Sequence, residues 1–522
     1  MQSESGSVRW LVLATFTPKP TGTAFSATAQ GVKSAMEAAQ ILVPLSETQS
    51  SASISVPNLR TCTLAGIAAS ALTGLQTILD ELSAGDCELE LLPDRIGEIV
   101  GPEAELTKAV SALVTSAAAS AAASPAKSSG KSGAPKDVVD AIFAKVESGS
   151  AVAPATPAQS AVSAFIGANK KPKGRTGAAP RGLVKKIKYA VEDAIMTRAA
   201  AILASNEVVG IESAWRGLNF LVNQCPTSAG MQVDCVDTTS DNVCKVIREL
   251  LDDEQSELPD AIFIAEPATD VDKIRELAEL GEELQVPIVV ATEASLFSAA
   301  NLDEVIAGLD TPYGGLPASW QELVAEESTR WLSLAINQIV VFSEGAGSAR
   351  RVVLASPVFG VAAMLAASYK DTGDYSRLYG KAGSLAAPAS WSLKSGRFSG
   401  VAVPTEAFFS AATQSKLANL GVLGMGSARN SELLALNAAP TLRSSQSALP
   451  LPSQILAGKV VRFALWARQQ VPADASDEEV SALFQEAAHV FLFRGATEGI
   501  TFQAEAEGQG DERKINIGVD IA

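Results

Sequence analysis

The clearest pattern in the chain is a pair of short apolar runs separated by one amphipathic helix. Asp260-Ala-Ile-Phe-Ile-Ala265 and Val286-Pro-Ile-Val-Val-Ala291 are almost continuously apolar, as strands of a buried parallel sheet are. Between them Asp270–Leu284 has helical periodicity, and Asp270 is placed to cap its N-terminus. Met231–Val236 alternates and adds a strand. This order predicts an α/β fold with a β–α–β sandwich-like core, its sheet covered on both faces.

The N-terminal part predicts a first folded unit over residues 1–113. Val8–Phe16 is rich in strand-forming residues, and Ala52–Val56 alternates at period two. Ala65–Leu82 carries Leu and Ile at helical spacing. We therefore expect a small α/β unit ahead of the main body.

Residues 114–190 change character and predict a linker. Ser116–Ala126 is nearly pure Ala and Ser, and Asp137–Val146 is a short helix-like island. From Lys170 to Lys188 there are eight basic residues and no acidic one. A segment so poor in bulky apolar residues buries too little surface to offset the entropy of ordering it.

The chain ends in a predicted β-hairpin. Two helices, Val460–Gln470 and Asp477–Phe493, come first, and Ser476 is placed to cap the second. Residues 500–506 and 515–521 then alternate strictly. Such a hairpin is marginal alone, and its edges offer N–H and C=O groups to a neighbouring strand. The alternative is a hairpin that completes the protein's own sheet. The residues of the apolar face are Ile500, Phe502, Ala504, Ala506, Ile515, Ile517, Val519 and Ile521. The predicted domains are 1–113, 114–190, 191–499 and 500–522.

Composition and charge argue against several classes of protein. The net charge of −17 and the pI of about 4.7 argue against nucleic-acid binding, which needs a basic surface. No apolar run is long enough for a transmembrane helix, and the N-terminus does not resemble a signal peptide. The five cysteines include no CxxC pair and fit reduced thiols. We expect a cytoplasmic protein with no membrane insertion.

No coherent catalytic, cofactor or metal site is evident, so we expect no enzymatic activity and no cofactor. The Gly130-Lys-Ser132 tripeptide lacks the first glycine of a phosphate-binding loop, because Pro125 stands there. Leu423–Arg429 lacks the third glycine of a dinucleotide loop. The sole histidine, His489, lies in a helical pattern with no metal-ligand neighbours. A nucleotide-binding α/β enzyme is the alternative that would need such a site.

One helix carries a more specific signal. Ile211–Val222 is amphipathic with a heavy aromatic anchor, Trp215. Its string Glu212-Ser-Ala-Trp-Arg-Gly-Leu218 resembles a signature of the large subunit of the type VI secretion contractile sheath, the TssC family. The motif core here is Trp215, Arg216, Gly217 and Leu218.

The resemblance extends over about 185–522 in the same order. It is carried further by Ala291–Phe297, Val403-Pro-Thr-Glu406, Gln414–Gly421 and Lys459–Leu465. There are two departures. Phe408–Thr413 replaces the charged stretch that follows Pro-Thr-Glu in the family, and Leu465 replaces its usual histidine. We therefore expect a charge network of the family to be rebuilt with apolar contacts.

The first unit is weakly similar to the small sheath subunit, the TssB family. That subunit has an early apolar strand, a proline-bounded segment and a Leu-rich helix, similar here to Val8–Pro18, Ile54–Val56 and Ala65–Leu82. The family normally keeps the two subunits as separate chains. The two resemblances together imply a small–large fusion joined by residues 114–190. This order is sensible because the two subunits intertwine in one protomer.

The resemblance implies a bacterial structural protomer that polymerises helically around an inner tube of Hcp-like protein on a baseplate. It implies energy storage in an extended lattice, and terminal strands of different protomers that share one sheet. It also implies a short helix gripped by an AAA+ unfoldase; the alternative is a helix docked on the protomer itself. The residues of that helix here are Val138, Val139, Ile142, Phe143 and Val146. A non-contractile filament or shell protein of the same fold is a further alternative.

Overall fold

A computed structural model gives the fold. It describes residues 8–44, 53–100, 104–122, 181–226, 230–252, 258–345, 350–394, 396–444, 448–472, 475–492, 500–508 and 513–521. The unfoldase-binding helix predicted at Val138–Val146 lies outside these residues. Contacts divide the chain into two compact units, Met1–Gly66 with Ala200–Ala522, and Ile67–Ala199.

The strands of the described residues lie in one large sheet and several small ones. They are β1 Val8–Ala14, β2 Ala24–Ser26, β3 Gln40–Pro44, β4 Ser53–Pro57, β5 Met231–Asp237, β6 Ala261–Pro267, β7 Ile288–Ala291, β8 Leu332–Ile336, β9 Ile339–Glu344, β10 Arg351–Ala355, β11 Leu385–Ala386, β12 Trp391–Ser392, β13 Ala402–Val403, β14 Val422–Gly424, β15 Gly426–Ser427, β16 Leu433–Ala435, β17 Ile500–Glu507 and β18 Lys514–Ile521.

Helices cover and connect these strands. They are α1 Ala29–Ala38, α2 Leu64–Ala71, α3 Thr73–Ala84, α4 Leu92–Val100, α5 Glu105–Ala122, α6 Arg181–Leu203, α7 Asn206–Val222, α8 Val243–Asp252, α9 Val271–Leu284, α10 Leu302–Gly308, α11 Trp320–Leu323, α12 Pro357–Thr372, α13 Ala411–Asn419, α14 Leu451–Gln469 and α15 Asp477–Ala487.

The large sheet confirms the α/β prediction. Its seven strands run in the order β14-β8-β7-β6-β1-β5-β2. The pairings from β14 through to β5 are parallel, and β2 pairs antiparallel with β5. One face packs through Leu11, Leu13, Ile262 and Ile264 on α8 and α9, while α12 packs against β6, β7 and β8. Asp270 caps α9 as expected, accepting from the N–H groups of Asp272 and Lys273.

The central strand of this sheet comes from the N-terminal part of the chain. Trp10 of β1 lies opposite Val233 of β5 on one side and Ala261 of β6 on the other. Residues 8–14 are therefore part of the main body's sheet, because β1 fills the gap between β5 and β6. The assignment of residues 1–113 to a small sheath subunit stays a prediction.

The unit Ile67–Ala199 has its own small helical core. Leu75, Ile78 and Leu82 of α3 are buried, as are Ile96 of α4 and Val110 of α5. The helix predicted over Ala65–Leu82 is in fact two helices, because the backbone leaves the helical region at Leu72 with φ −117° and ψ 36°.

Both ends of the predicted linker are helical. Helix α5 continues to Ala122, and α6 begins at Arg181. Alanine is the best helix former, so the Ala/Ser run extends α5 rather than ending it. In α6 the buried residues Ile187, Val191 and Ile195 recur every four positions, a pattern that basic neighbours hide in the sequence. Within the described residues no single helix is long and apolar enough to cross a membrane; α6 and α7 reach that length and composition only when taken together.

The C-terminal helices and the hairpin form a separate cluster, called here the C-terminal module. Its core contains Phe463 and Ala467 of α14, Val480 and Phe484 of α15, and Ala504 of β17. Helix α14 is longer than predicted and begins at Leu451. Ser476 caps the start of α15 as predicted, and it forms a reciprocal capping box with Glu479. Arg462 of α14 fastens the module to the body, because it donates to the carboxylate of Asp260 (3.0 Å) and to the carbonyl of Gln285 (2.6 Å).

Candidate functional site

Helix α7 contains the motif that carries the family resemblance, and it is buried on almost every side. Ala214, Trp215 and Leu218 are buried, and so are the charged residues Glu212 and Arg216. A surface helix would keep its charged residues in water. The burial of two opposite charges four residues apart therefore marks α7 as a central element of the unit.

Trp215 ties α7 to the loop after β1. Its indole Nε1 donates to the carbonyl of Phe16 at 2.9 Å. The indole ring lies 5.0 Å from the ring of Phe16 and 5.8 Å from that of Phe25, measured between centroids. Aromatic pairs at this spacing add to the stabilisation that burial gives. The side chain predicted as an aromatic anchor thus anchors the N-terminal segment.

Four buried or half-buried charges on three elements form the Glu212 cluster, defined as Glu212, Arg216, Glu344 and Arg351. Arg216 Nε donates to one oxygen of Glu212 at 2.8 Å, and Arg351 donates to its other oxygen. Arg351 also donates to Glu344 at 3.0 Å. The side chain of Glu212 is completely buried. Its negative charge is stable there because each of its oxygens accepts from a guanidinium.

The Glu212 cluster also holds the strap, defined as residues 59–64 of the N-terminal segment. Arg216 donates to the carbonyl of Leu59 at 3.1 Å, and both arginines reach the carbonyl of Cys62 at 3.4 Å. The backbone N–H of Leu64 donates to both oxygens of Glu344 at 3.1 Å. The guanidinium of Arg216 lies 4.0 Å from the ring centroid of Phe342. The cluster thus joins α7, the β9–β10 hairpin and the strap.

Gly217 is in the motif because α7 packs closely against α12. A Cβ added at Gly217 would overlap the ring of Phe359. The next residue, Leu218, is fully buried. Trp215, Arg216 and Gly217 thus each contact a different neighbour of α7, and Leu218 is buried beside them.

Sequence reasoning missed the partners of this helix. Glu344 lies on β9 and Arg351 on β10, and Arg351 is 139 positions from Glu212. No periodicity links residues so far apart. The only local sign is an acidic residue and an arginine beside Trp215, at the spacing of one helical turn.

The hairpin confirms the predicted alternation. Thr501, Gln503 and Glu505 are exposed, whereas Phe502, Ala504 and Ala506 face the C-terminal module. Ile515, Ile517 and Val519 of β18 are half-buried, and β17 and β18 pair in register from Ile500–Ile521 to Glu507–Lys514. The side chains of Ile500 and Ile521 lie outside the described side chains. The hairpin and the Trp215 motif thus belong to different cores.

The two edges of the hairpin differ. On β17, the N–H of Ala506 donates to Ser481 Oγ at 3.0 Å, and that of Gly508 donates to Asp477 at 3.2 Å. The peptide groups of Ala506 therefore point away from β18. In an antiparallel pair, two residues that lie opposite each other point their peptide groups either both towards the partner strand or both away from it. The register with Ala506 opposite Ile515 directs the N–H and C=O groups of Ile515, Ile517 and Val519 to the outer edge of β18.

Side chains close part of the edge of the sheet where open α/β folds bind ligands. This site lies beyond the carboxyl ends of the strands, where the strand order reverses between β1 and β6. Asp237 at the end of β5 accepts from the N–H groups of Phe16 (2.7 Å) and Thr17 (3.2 Å), and Trp215 covers the same loop. These side chains fill the space between the carboxyl ends of β1 and β5.

The structure also places the other residues that were considered for chemistry. In Leu423–Arg429, Gly424 of β14 packs against Leu417 and Gly426 of β15 against Gln414, so this segment is formed by two short buried strands and not by a dinucleotide-binding loop. His489 is exposed. Burial raises the pKa of Cys62 to about 12, with the charge of Glu212 adding to the effect, so its thiol stays protonated. Among the residues that the structure describes, no group of His, Cys, Asp or Glu could hold a metal ion.

Comparison with known proteins gives one family match. Residues 185–267 match the family model described as EvpB/VC_A0108, tail sheath N-terminal domain. The matched segment includes most of α6 and ends with β6, and it contains the whole Trp215 helix. No curated protein sequence matches the chain.

Three solved structures are distantly similar. The anti-feeding prophage baseplate matches with 11% identity and a TM-score of 0.37, covering 59% of this chain and 77% of that chain. The anti-feeding prophage helical sheath in the contracted state matches with 12% identity and a TM-score of 0.36, covering 59% and 78%. The PVC sheath complex of an extracellular contractile injection system, also contracted, matches with 12% identity and 0.36, covering 59% and 77%. These scores are too low to show a shared fold.

Proposed function

We propose that this chain is the protomer of a helical contractile sheath. The observation that carries the proposal is the tail sheath match over residues 185–267, together with the part that its Trp215 helix plays as the centre of the protomer. The proposed sheath surrounds an inner tube of Hcp-like protein in the bacterial cytoplasm and stands on a baseplate. It stores energy in an extended lattice and releases it on contraction, so its mechanism is a change of interfaces rather than a reaction.

We further propose that the chain combines a small and a large sheath subunit in one polypeptide. The support is the position of β1 between β5 and β6 and the strap held by the Glu212 cluster. Two subunits that intertwine in one protomer need such shared strands and buried links. A single chain keeps them at equal numbers.

The C-terminal hairpin is proposed to link neighbouring protomers by strand addition. Its apolar face packs on α15, which makes the hairpin stable within its own protomer. On β17 the edge is covered by Ser481 and Asp477, so the incoming strand is expected at β18. The residues of the link remain those predicted, with Ile515, Ile517 and Val519 supplying the backbone groups. A link of this kind stays intact while protomers rotate.

An AAA+ unfoldase is proposed to recycle the contracted sheath through Val138–Val146. Phe143→Asp is expected to abolish binding of a partner unfoldase, because it places a charge on the gripped apolar face. The matched control is Asp140→Asn on the same short segment. Unchanged binding by Phe143→Asp would remove this role.

Electron microscopy of the purified full-length protein tests the main proposal. A contractile sheath gives hollow tubes of two lengths and diameters. A non-contractile filament gives tubes of one length, and an enzyme gives no tubes. A chain that stays monomeric at high concentration, with and without an Hcp-like tube protein, would contradict the sheath assignment.

A further inference from the structure

An open groove runs between helix α15 and strand β17 on the C-terminal module. Its volume is about 590 Å³. Ser481, Ala482 and Gln485 line the helix side, and Ala504 and Asn516 line the strand side. Ala504 is buried and forms part of the apolar floor. The groove is therefore shaped by α15 and both strands of the β17–β18 hairpin rather than by a loop.

Carboxylates surround this groove. Asp477, Glu478, Glu505 and Glu507 all line it. Asp477 is paired with Arg513 at 3.1 Å, which compensates one of the four charges. Glu478, Glu505 and Glu507 are exposed, and none of the described ion pairs contains them. Three negative charges on one groove keep its potential negative and favour a cationic occupant.

The same chain contains a segment of matching charge. Residues 170–181 carry five basic residues and no acidic one, in a protein whose net charge is −17. The bases are Lys170, Lys171, Lys173, Arg175 and Arg181. Residues 170–180 lie outside the described part of the chain. A cationic segment of this length reaches several carboxylates at once, which a single surface ion pair cannot do.

We propose that the groove between α15 and β17 binds the basic segment 170–181 of a second copy of the chain. The inference rests on the proposed function only in that it needs copies in contact. Lysine and arginine side chains reach Glu478, Glu505 and Glu507, while Gln485 and Asn516 offer hydrogen bonds to the segment's backbone. The contact strengthens the lattice at low salt and weakens as salt screens the charges.

Zero-length cross-linking of the full-length protein tests this contact. Equal amounts of ordinary and ¹⁵N-labelled chain are mixed, treated with a carbodiimide, and analysed by mass spectrometry. The expected products join Glu505 or Glu507 to Lys170, Lys171 or Lys173, with the two peptides from differently labelled chains. Cross-links found only within one label would show a contact inside one chain and overturn the proposal.

Charge reversal provides the matched variants. Glu478→Lys with Glu505→Lys is expected to lower the cross-link yield at Glu507 by about tenfold or more, since two attractions become repulsions. Adding Lys171→Glu and Lys173→Glu to that variant restores the yield at the remaining Lys170, because the charges are then swapped. The control Glu279→Lys with Glu283→Lys makes the same change in net charge on exposed positions of α9 and leaves the yield unchanged. An equal loss of cross-link yield in the groove variant and in the α9 control would show that only the net charge of the chain matters, and would overturn the proposal.

Sedimentation of the same samples separates the two proposals. Assembled particles without the cross-link overturn the groove contact and leave the sheath proposal standing. Monomers without the cross-link contradict both.

Discussion

The Trp215 helix and the C-terminal hairpin bury their apolar residues in opposite ways. Helix α7 is enclosed on nearly all sides, and each oxygen of Glu212 accepts from a guanidinium. The hairpin buries one face only and directs backbone groups of β18 outward. The first arrangement fixes the body of the chain, and the second leaves the outward backbone groups of β18 available for the proposed strand addition. The proposed contraction, in which a rigid body changes its contacts, would use both arrangements.

Removing Glu212 should give the largest loss of stability. Glu212→Ala leaves Arg216 and Arg351 buried without their shared carboxylate, which costs about 3–5 kcal/mol. Urea unfolding followed by circular dichroism measures this loss. Glu37→Ala is the control, because Glu37 pairs with Arg60 at the surface and should cost less than about 1 kcal/mol. Equal costs would show that the Glu212 cluster does not hold the protomer together.

Two glycines of α7 give a sharper test of how closely that helix is packed. Gly217→Ala should destabilise by about 1–3 kcal/mol, because the new methyl group overlaps the ring of Phe359. Gly210→Ala has open space around it and should stabilise by about 0.5–1 kcal/mol. The melting temperatures of the two variants, compared with that of the wild type, test this prediction. A Gly217→Ala variant whose melting temperature equals or exceeds that of the wild type would show that α7 does not pack closely against α12.

A substitution at the outer edge of the hairpin should prevent assembly into tubes and leave the stability of the folded chain nearly unchanged. Ile517→Pro removes an N–H that points away from β17, so no bond inside the hairpin is lost, but a strand can no longer pair there. We expect tubes to disappear on electron micrographs while the melting temperature stays close to that of Ile517→Ala. The alanine variant loses the same apolar side chain and keeps the N–H, so it should still assemble. Tubes from the proline variant would contradict strand addition at β18.

Truncation after Gly499 gives a weaker form of the same comparison. The main body should keep its circular dichroism spectrum and its melting transition, because its core shares no residue with the core of the C-terminal module. The module itself loosens, since Phe463, Val480 and Phe484 lose their cover. Unfolding of the whole chain would show that the hairpin belongs to the protomer core.

Local patterns in the sequence predicted local structure well. The apolar runs became β6 and β7, Asp270 caps α9, and strict alternation became the paired strands β17 and β18. Each of these depends on residues within a few positions of one another. The helix break at Leu72 was missed because leucine favours a helix, and the packing of Gly74 against Ile99 is not visible in a periodic pattern.

Long-range pairing could not be predicted in the same way. Strand β1 looked like the start of an independent unit, since nothing near Val8 indicates that its neighbours lie beyond residue 230. The partners of Glu212 could not be predicted for the same reason, because nothing near Arg351, at the start of β10, indicates which distant carboxylate it binds. The family resemblance singled out the motif, but only the structure shows that its charges hold the strap.

The smallest effect expected concerns the thiol of Cys62 and appears only at alkaline pH. Its pKa is raised from 9.0 to about 12 in the folded protein. Below pH 9 the thiol is protonated in both states and contributes no pH dependence. Between pH 9 and pH 12 the unfolded chain loses the proton and the folded one keeps it, so stability falls as pH rises, by up to about 1.4 kcal/mol per pH unit. Urea midpoints of the wild type and of Cys62→Ala should therefore differ by the same amount at pH 7 and pH 8 and converge towards pH 10. A difference that stays constant up to pH 10 would mean that the strap leaves the thiol open to water, and that the Glu212 cluster closes less tightly over residues 59–64 than the hydrogen bonds indicate.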